Sequence, residues 1–158
     1  QLTLSLGDYD LGAVVRSVVS ATEPLARARN LDLRVMMPDR LPLGRGDERR
    51  LRQVLLNLVG NAIKFTDQGE VEIAAMFDCQ RLRVAVRDTG SGVASAEQAR
   101  IFEEFQQGGD AAVHPRDGAG LGLAIARRIV ELHGGDVQVS SAPGAGTQVR
   151  LTLPGATS

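Results

Sequence analysis

The stretch from Asp47 to Thr66 constrains the fold of this chain more than any other, and it reads DERRLRQVLLNLVGNAIKFT. Its apolar residues recur at helical spacing, as Leu51, Val54, Leu55, Leu58 and Ala62. At ~100° per residue these five fall within roughly 50° of the Leu51 direction. The spacing predicts an amphipathic helix that Asp47 caps and that buries this stripe against a core.

Three polar residues of that helix, Asn57, Asn61 and Lys64, lie roughly 80–140° from the stripe, on its flank. Asn is a poor residue inside a helix, because its amide competes for backbone hydrogen bonds. Two readings are open at this point: satisfied polar residues at a helix edge, or a polar face directed at a charged ligand. Lys64 is the only Lys in a chain with 18 basic residues. A retained compact ammonium favours the second reading.

A pair of strands is predicted after this helix, with a hairpin turn at residues 78–81. Leu82, Val84 and Val86 share one face of the second strand, and Asp88 shares that face by strand parity. Burying a carboxylate without partners is costly, so Asp88 requires hydrogen-bond donors. The glycines that follow it allow tight turning and the close approach of a ligand.

The remaining segments complete a single domain, for which residues 10–154 are predicted, with residues 1–9 as an extended lead-in and 155–158 as a frayed tail. A first helix is expected from Asp10 to about Asn30, kinked or split at Pro24. A strand is expected over residues 31–36, followed by a connection at 38–46.

A last helix and a hairpin are predicted towards the end of the chain. The helix should end at His133 with Gly134 as its cap. Its predicted inward residues are Leu121, Ala124, Ile125, Ile129 and Leu132. The second strand of the hairpin is expected to turn Thr147, Val149, Leu151 and Leu153 inward.

Composition excludes several classes of function. The net charge is −1 and only five of the 158 residues are aromatic, which argues against a nucleic-acid surface. No apolar run reaches membrane-spanning length, so direct membrane contact is not expected. The single Cys79 excludes an internal disulfide and a cysteine zinc cluster, and it fits a reducing, cytoplasmic setting.

The glycine-rich start of the last helix, Gly118-Ala-Gly120-Leu-Gly122-Leu123, is suited to an anion, because the first N–H groups of a helix have no intrahelical partner. It is neither a Walker loop nor a dinucleotide fingerprint. Asp88 offers an acceptor for an adenine amine, and amide oxygens of Asn can bind Mg²⁺. With Lys64 near the phosphates, these pieces form an ATP–Mg²⁺ site without a Walker motif.

In these motifs the chain resembles the catalytic and ATP-binding domain of bacterial sensor histidine kinases, within the group that includes gyrase, the heat-shock chaperone ATPase and the mismatch-repair ATPases. The resemblance covers about residues 8–154. Four boxes carry it in order: Asn57-Leu-Val-Gly-Asn61-Ala-Ile-Lys64-Phe65, Asp88-Thr-Gly90-Ser-Gly92-Val93, Ile101-Phe102-Glu-Glu-Phe105, and the run from Gly118 to Leu123. Gly144-Ala-Gly146-Thr147 is the closing motif. The implied fold is an α+β two-layer sandwich, with a mixed sheet of about five strands packed on three main helices.

The resemblance also implies roles for single residues. Asn61 coordinates Mg²⁺, Asn57 lies by the phosphates or a metal-bound water, and Lys64 contacts phosphate. Asp88 binds the adenine amine, Thr147 assists through a water, and Phe65 packs near the sugar or base. The other residues implied in nucleotide binding are Gly90, Gly92, Val93, Phe105, Arg116, Gly118, Gly120, Leu121, Gly122 and Leu123. Residues 106–118 form the implied lid, and Phe102 and Phe105 anchor it.

Three activities remain open under this resemblance. The first is transfer of the γ-phosphoryl group of ATP to a protein His, and the second is ATP hydrolysis. The third is nucleotide-dependent binding without catalysis. The hydrolases place a Glu base where this chain has Asn57, and an amide cannot take a proton, which favours transfer. Phosphorylation of a Ser on a partner is a minor further option.

The phosphoacceptor of such a kinase is a His on a separate helical dimerisation domain. The two His residues of this chain, His114 and His133, do not stand in an acceptor motif and are predicted to be lid or structural residues. The implied partners are therefore that dimerisation domain, upstream or in trans, and a response regulator. The parent protein is expected to be a homodimer, either cytoplasmic or anchored in a membrane.

Overall fold

The structure, a computed structural model, describes residues 3–66, 68–89, 119–142 and 146–155. In this part of the chain the helices are α1 (Leu11–Ala28), α2 (Glu48–Phe65) and α3 (Ala119–Leu132). The strands are β1 (Gly7–Tyr9), β2 (Asp32–Met36), β3 (Gly44–Gly46), β4 (Glu70–Asp78), β5 (Arg81–Asp88), β6 (Asp136–Ala142) and β7 (Gly146–Pro154).

Five strands form one mixed sheet in the order β2-β4-β5-β7-β6. The β2 strand runs parallel to β4, and the other neighbours are antiparallel. The helices pack on the sheet through contacts of α1 with β2 and β4, of α2 with β4 and β5, and of α3 with β6. This is the α+β two-layer sandwich of about five strands and three helices that the family resemblance implies.

The core lies between these layers and follows the predicted periodicities. All five residues of the predicted α2 stripe are buried, and Val59 and Ile63 extend it. In the sheet, Leu82, Val84 and Val86 of β5 are buried, whereas Arg83 and Arg87, on the opposite face, are exposed. The hairpin between β4 and β5 turns through Cys79 and Gln80, whose φ values of 53° and 67° are both left-handed.

A kink or a split was predicted at Pro24, and the split is wrong, since α1 continues without interruption to Ala28. Pro24 and Ser20, four residues before it, are both exposed. The carbonyl that loses its partner therefore lies on the solvent side, where water can pair with it. The helix also ends two residues earlier than predicted. Asn30 adopts a left-handed backbone conformation, with a φ of 58°.

The pairing of β1 with β3 in a two-stranded ribbon was not predicted, because residues 1–9 were expected to be an extended lead-in and residues 38–46 a connection. Tyr9 of the lead-in is a core residue at 2% exposed, and its burial raises its pKa to about 12. A Cβ on Gly44 would overlap the Tyr9 ring, so this Gly makes room for it. The pattern Gly-Arg-Gly has low strand propensity, which is why periodicity did not reveal β3.

Two predictions near the end of the chain need correction. Leu132 was predicted to face inward but is 37% exposed, whereas Ala126 and Val130 are buried beside Ile129. Leu132 lies roughly 110° around the helix from the centre of that buried stripe. Gly155, assigned to the frayed tail, instead bridges Gly44 and donates its N–H to the Gln80 carbonyl at 3.2 Å.

Candidate functional site

One end of the sheet collects the residues that the sequence singled out on strands. The register sets Val71, Asp88 and Thr147 side by side on β4, β5 and β7. The α2 helix ends at Phe65, only a few residues before β4 begins at Glu70. The C-terminal end of α2 therefore lies at the same end of the sandwich, which we name the Asp88 end.

The α3 helix contacts α2, and His133 just after the end of α3 meets Asp47 at the start of α2, so the two helices run antiparallel. Its last residue leads into Asp136 of β6, which pairs with Thr152, far along β7 from Thr147. At that opposite end the His133 ring accepts a hydrogen bond from the Asp47 N–H, with Nε2 at 2.9 Å. The first turn of α3 consequently points back towards the Asp88 end.

The polar flank of α2 lies where the helical spacing predicts it. Asn57 and Asn61 are half-buried and Lys64 is exposed. The Lys64 ammonium lies 5.8 Å from the centroid of the Phe65 ring, within the range of a cation–π contact. Two amides and one ammonium thus form a polar ridge that runs towards the Asp88 end.

Asp88 points into the sandwich, as strand parity predicts, and is 3% exposed. Its Oδ1 accepts the N–H of Thr147 at 3.2 Å. Thr147 is equally buried, at 3% exposed. A carboxylate accepts several hydrogen bonds, and a charge this deeply buried is stable only with donors around it. The arrangement suits recognition of an amine-bearing ring.

Gly146 is required for this pairing, a role that was not predicted. Its φ is +83°, and a Cβ there would overlap the Asp88 carbonyl oxygen. The signal in the sequence was the closing motif Gly-Ala-Gly-Thr. Only a residue without a side chain lets β7 begin this close to the end of β5.

Thr89 fixes the position of the backbone one residue beyond Asp88. Its N–H donates to the Glu70 carbonyl at 3.1 Å, and its Oγ1 accepts the Glu70 N–H at 3.0 Å. A Cβ on Gly69, where φ is +120°, would overlap that hydroxyl. The exit from β5 is therefore fixed against the start of β4, a role of Thr89 that the sequence reading missed.

Several predicted site residues cannot be compared with the structure. The predicted residues Gly90, Gly92, Val93, Phe102, Phe105, Arg116 and Gly118 lie outside the described residues, as do His114 and the predicted lid. Gly120, Leu121, Gly122 and Leu123 lie in the first turns of α3. That position fits the anion-binding helix start that was predicted for them.

The donor set at the Asp88 end fits a metal held by amide oxygens and phosphate better than one held by protein carboxylates. Within the described ranges, no group of three or more His, Cys, Asp or Glu side chains could hold a metal ion. Asn57 and Asn61 offer hard amide oxygens, which Mg²⁺ accepts alongside waters and phosphate oxygens.

His133 is a structural residue, as predicted. Its two ring nitrogens bond to the Asp47 N–H and to the Ile129 carbonyl, at the end of the sandwich opposite Asp88. Asp47 caps α2, with Oδ1 accepting the Arg50 N–H and Oδ2 accepting the Ser5 N–H. Burial acts to raise the pKa of Asp47, but these N–H groups and the charge of Arg50 lower it below its usual value.

None of the helices in the described part of the chain is both long enough and apolar enough to span a membrane. The comparison with known proteins concerns residues 46–157, which match the family model for histidine kinase-, DNA gyrase B-, and HSP90-like ATPases. That match contains the α2 flank, Asp88, Thr147 and α3.

The chain is similar to named sensor kinases. It is 42% identical over 146 residues to the sensor histidine kinase AruS of Pseudomonas aeruginosa, covering 89% of this chain and 15% of AruS. It is 41% identical to the adaptive-response sensory kinase SasA of Parasynechococcus marenigrum, covering 92% of this chain and 38% of SasA. The chain therefore spans well under half the length of these relatives.

Solved structures agree with this assignment. Full-length ShkA in complex with AMPPNP matches over 99% of this chain and 32% of its own, with a TM-score of 0.81 and 39% identity. The histidine kinase ThkA in complex with the response regulator protein TrrA matches over 97% of this chain and 42% of its own, with a TM-score of 0.74 and 26% identity. The chain belongs to the family of histidine kinase-, DNA gyrase B- and HSP90-like ATPases.

Proposed function

We propose that this chain is the catalytic domain of a sensor histidine kinase, which binds Mg²⁺–ATP at the Asp88 end and transfers the γ-phosphoryl group to a His on a separate dimerisation domain. The observation that carries the proposal is the buried carboxylate of Asp88, 3% exposed and at the same end of the sandwich as the polar flank of α2. A buried acceptor beside a row of polar and cationic groups matches the two ends of a nucleotide.

At the base end, Asp88 accepts a hydrogen bond from the amine of adenine, and Thr147 contacts the base through a water. At the phosphate end, Asn61 and Asn57 supply amide oxygens to Mg²⁺ and its waters, and Lys64 contacts phosphate. The chemistry that bound Mg²⁺ supplies is neutralisation of charge on the phosphates. The first turn of α3 adds N–H groups that favour an anion.

Transfer is favoured over hydrolysis by the amide at Asn57. Hydrolytic relatives use a Glu there to take a proton from water, and an amide cannot do so. The domain then acts by positioning and charge stabilisation, while the P–O bond to the leaving ADP breaks and a P–N bond to the acceptor imidazole forms. Any base comes from the acceptor domain.

The partners follow from the same proposal. The chain spans 15% of AruS and 38% of SasA, so the activities of a whole kinase rest on segments outside it. We expect a helical dimerisation domain as the phosphoacceptor, a homodimeric parent protein in the cytoplasm or anchored to a membrane, and a response regulator as the next acceptor. The ThkA structure contains a response regulator protein, which supports the last expectation.

The direct test mixes this domain with the helical acceptor domain of its parent protein and ATP labelled at the γ-phosphate. The proposal predicts label on the acceptor that is labile to acid and stable to base, as expected for phosphohistidine. The matched control is the acceptor domain with its His replaced by Ala. Inorganic phosphate release without labelled acceptor would support hydrolysis instead.

A further inference from the structure

The His133 ring joins two helices at the end of the sandwich opposite Asp88. Its Nε2 accepts the Asp47 N–H at 2.9 Å, and its Nδ1 lies 2.8 Å from the Ile129 carbonyl. A backbone N–H can only donate, so Nε2 carries no proton in this contact. Nδ1 then holds the proton of the neutral ring and donates a hydrogen bond to the Ile129 carbonyl oxygen.

Several groups converge on this contact, which we name the capping junction: Ser5, Gly46, Asp47, Ile129 and His133. Asp47 begins α2 and also accepts the Ser5 N–H at 2.8 Å. Gly46 lets the ring approach, because a Cβ there would overlap Cδ2 and Nε2 of His133. The junction therefore fixes the start of α2 to the end of α3, and it also holds the lead-in.

The axial register of the two helices follows from this contact. From His133 back to Ala119, α3 rises about 21 Å. An equal rise along α2 from Asp47 reaches Asn61. Because the helices are antiparallel and in contact, the first turn of α3 lies at about the level of Asn61 on α2.

We propose that His133 is a positioning residue for the nucleotide site, because its bond to Asp47 sets the register between the amides of α2 and the phosphate-binding start of α3. This inference rests on the proposed function. The phosphates require both helices, whereas the base is held by Asp88 and Thr147 on the sheet. A change at the junction should therefore weaken the phosphate contacts and leave the base contacts in place.

The test measures the affinities of Mg²⁺–ATP and of adenosine for the whole domain by calorimetry or NMR titration. His133→Phe keeps a ring and removes the acceptor, and we expect Mg²⁺–ATP to bind about tenfold or more weakly while adenosine binds as before. Gly46→Ala reaches the same contact from the other side and should give the same pattern. His133→Gln, whose Oε1 can accept the Asp47 N–H, should restore Mg²⁺–ATP binding.

The control is Leu82→Ala, which removes a fully buried side chain from the sheet and leaves every bond of the junction in place. A loss of folded protein weakens both ligands by the same factor, so this variant shows the pattern of a purely structural effect. Equal losses for both ligands in His133→Phe and Gly46→Ala, or no loss, would overturn the positioning role. A wild-type domain that binds neither ligand would overturn the proposed function together with it.

Discussion

At the scale of single residues, the proposed function makes Asp88 the residue that selects the base. In Asp88→Asn the new Oδ1 can still accept the Thr147 N–H, which leaves the amide NH₂ towards the amine of adenine. The side-chain NH₂ and the adenine amine are both hydrogen-bond donors and cannot pair. ATP affinity should therefore fall steeply, by up to about 10⁴-fold. Calorimetry with ATP and GTP measures the loss, with Asp78→Asn on the exposed β4 end as the matched control. Unchanged ATP affinity would remove Asp88 from base recognition.

Under the proposed function, Asn61 is the residue that holds Mg²⁺. Asn61→Ala removes one hard oxygen from α2 and leaves the buried stripe intact, so the fold should persist while Mg²⁺ no longer tightens ATP binding. The measurement is nucleotide affinity with Mg²⁺ and with EDTA. Gln53→Ala, an exposed amide on the same helix, is the control. If Mg²⁺ still strengthened binding to the Asn61 variant, another group would hold the metal.

The residues that could be predicted from sequence are those whose position follows from a period. Strand parity predicted the burial of Asp88, and the helical period predicted the flank of Asn57, Asn61 and Lys64. Gly46 and Gly146 could not be found in this way. Their importance lies in contacts with His133 and with the Asp88 carbonyl, which are distant in the chain.

At the scale of elements, the cap of α2 couples stability to acid. Although burial acts to raise the pKa of Asp47, the N–H groups of Ser5 and Arg50 lower it below its usual value in the folded protein. The ionised carboxylate therefore stabilises the fold fully above its unfolded pKa, and this contribution is lost as pH falls through the folded pKa. Asp47→Asn should cost about 1–2 kcal/mol at pH 7, because its NH₂ faces an N–H donor.

Urea unfolding at pH 7 and pH 3 checks the prediction for Asp47. The gap in unfolding free energy between wild type and Asp47→Asn should narrow at the lower pH, since only the wild type loses an ionised cap. Asp10→Asn is the matched control, because Asp10 caps α1 but is exposed. A gap that is the same at both pH values would contradict the role of the carboxylate charge.

The start of β7 depends on a Gly, and α2 contains another Gly for comparison. Gly146→Ala would place a Cβ against the Asp88 carbonyl at a φ of +83°, and we expect a loss of about 1–3 kcal/mol. Gly60→Ala lies inside α2 with open space around its Cβ and should gain up to about 1 kcal/mol. Thermal unfolding of both variants checks whether Gly146→Ala lowers the stability and Gly60→Ala raises it. Equal effects would contradict it.

At the scale of the whole molecule, the two layers were predicted, but the β1–β3 ribbon and the capping junction were not. The stripe of α2 follows from helical periodicity, whereas the mixed sheet of five strands on three helices was implied by the resemblance to histidine kinase domains. The β1–β3 ribbon has only three residues in each strand and no alternation, so only tertiary contacts reveal it. The capping junction links residues 5, 47 and 133, which are too far apart in the chain for a local sequence pattern to predict their contact.

The central claim is that Mg²⁺–ATP binds at the Asp88 end of the sandwich, and backbone NMR during titration with the nucleotide tests it most directly. We predict that the largest shifts occur at Asp88, Thr147, Asn61 and the first turn of α3, and that the hairpin at Cys79 and Gln80 does not respond. Shifts concentrated at that hairpin, or no shifts at saturating Mg²⁺–ATP, would contradict the account.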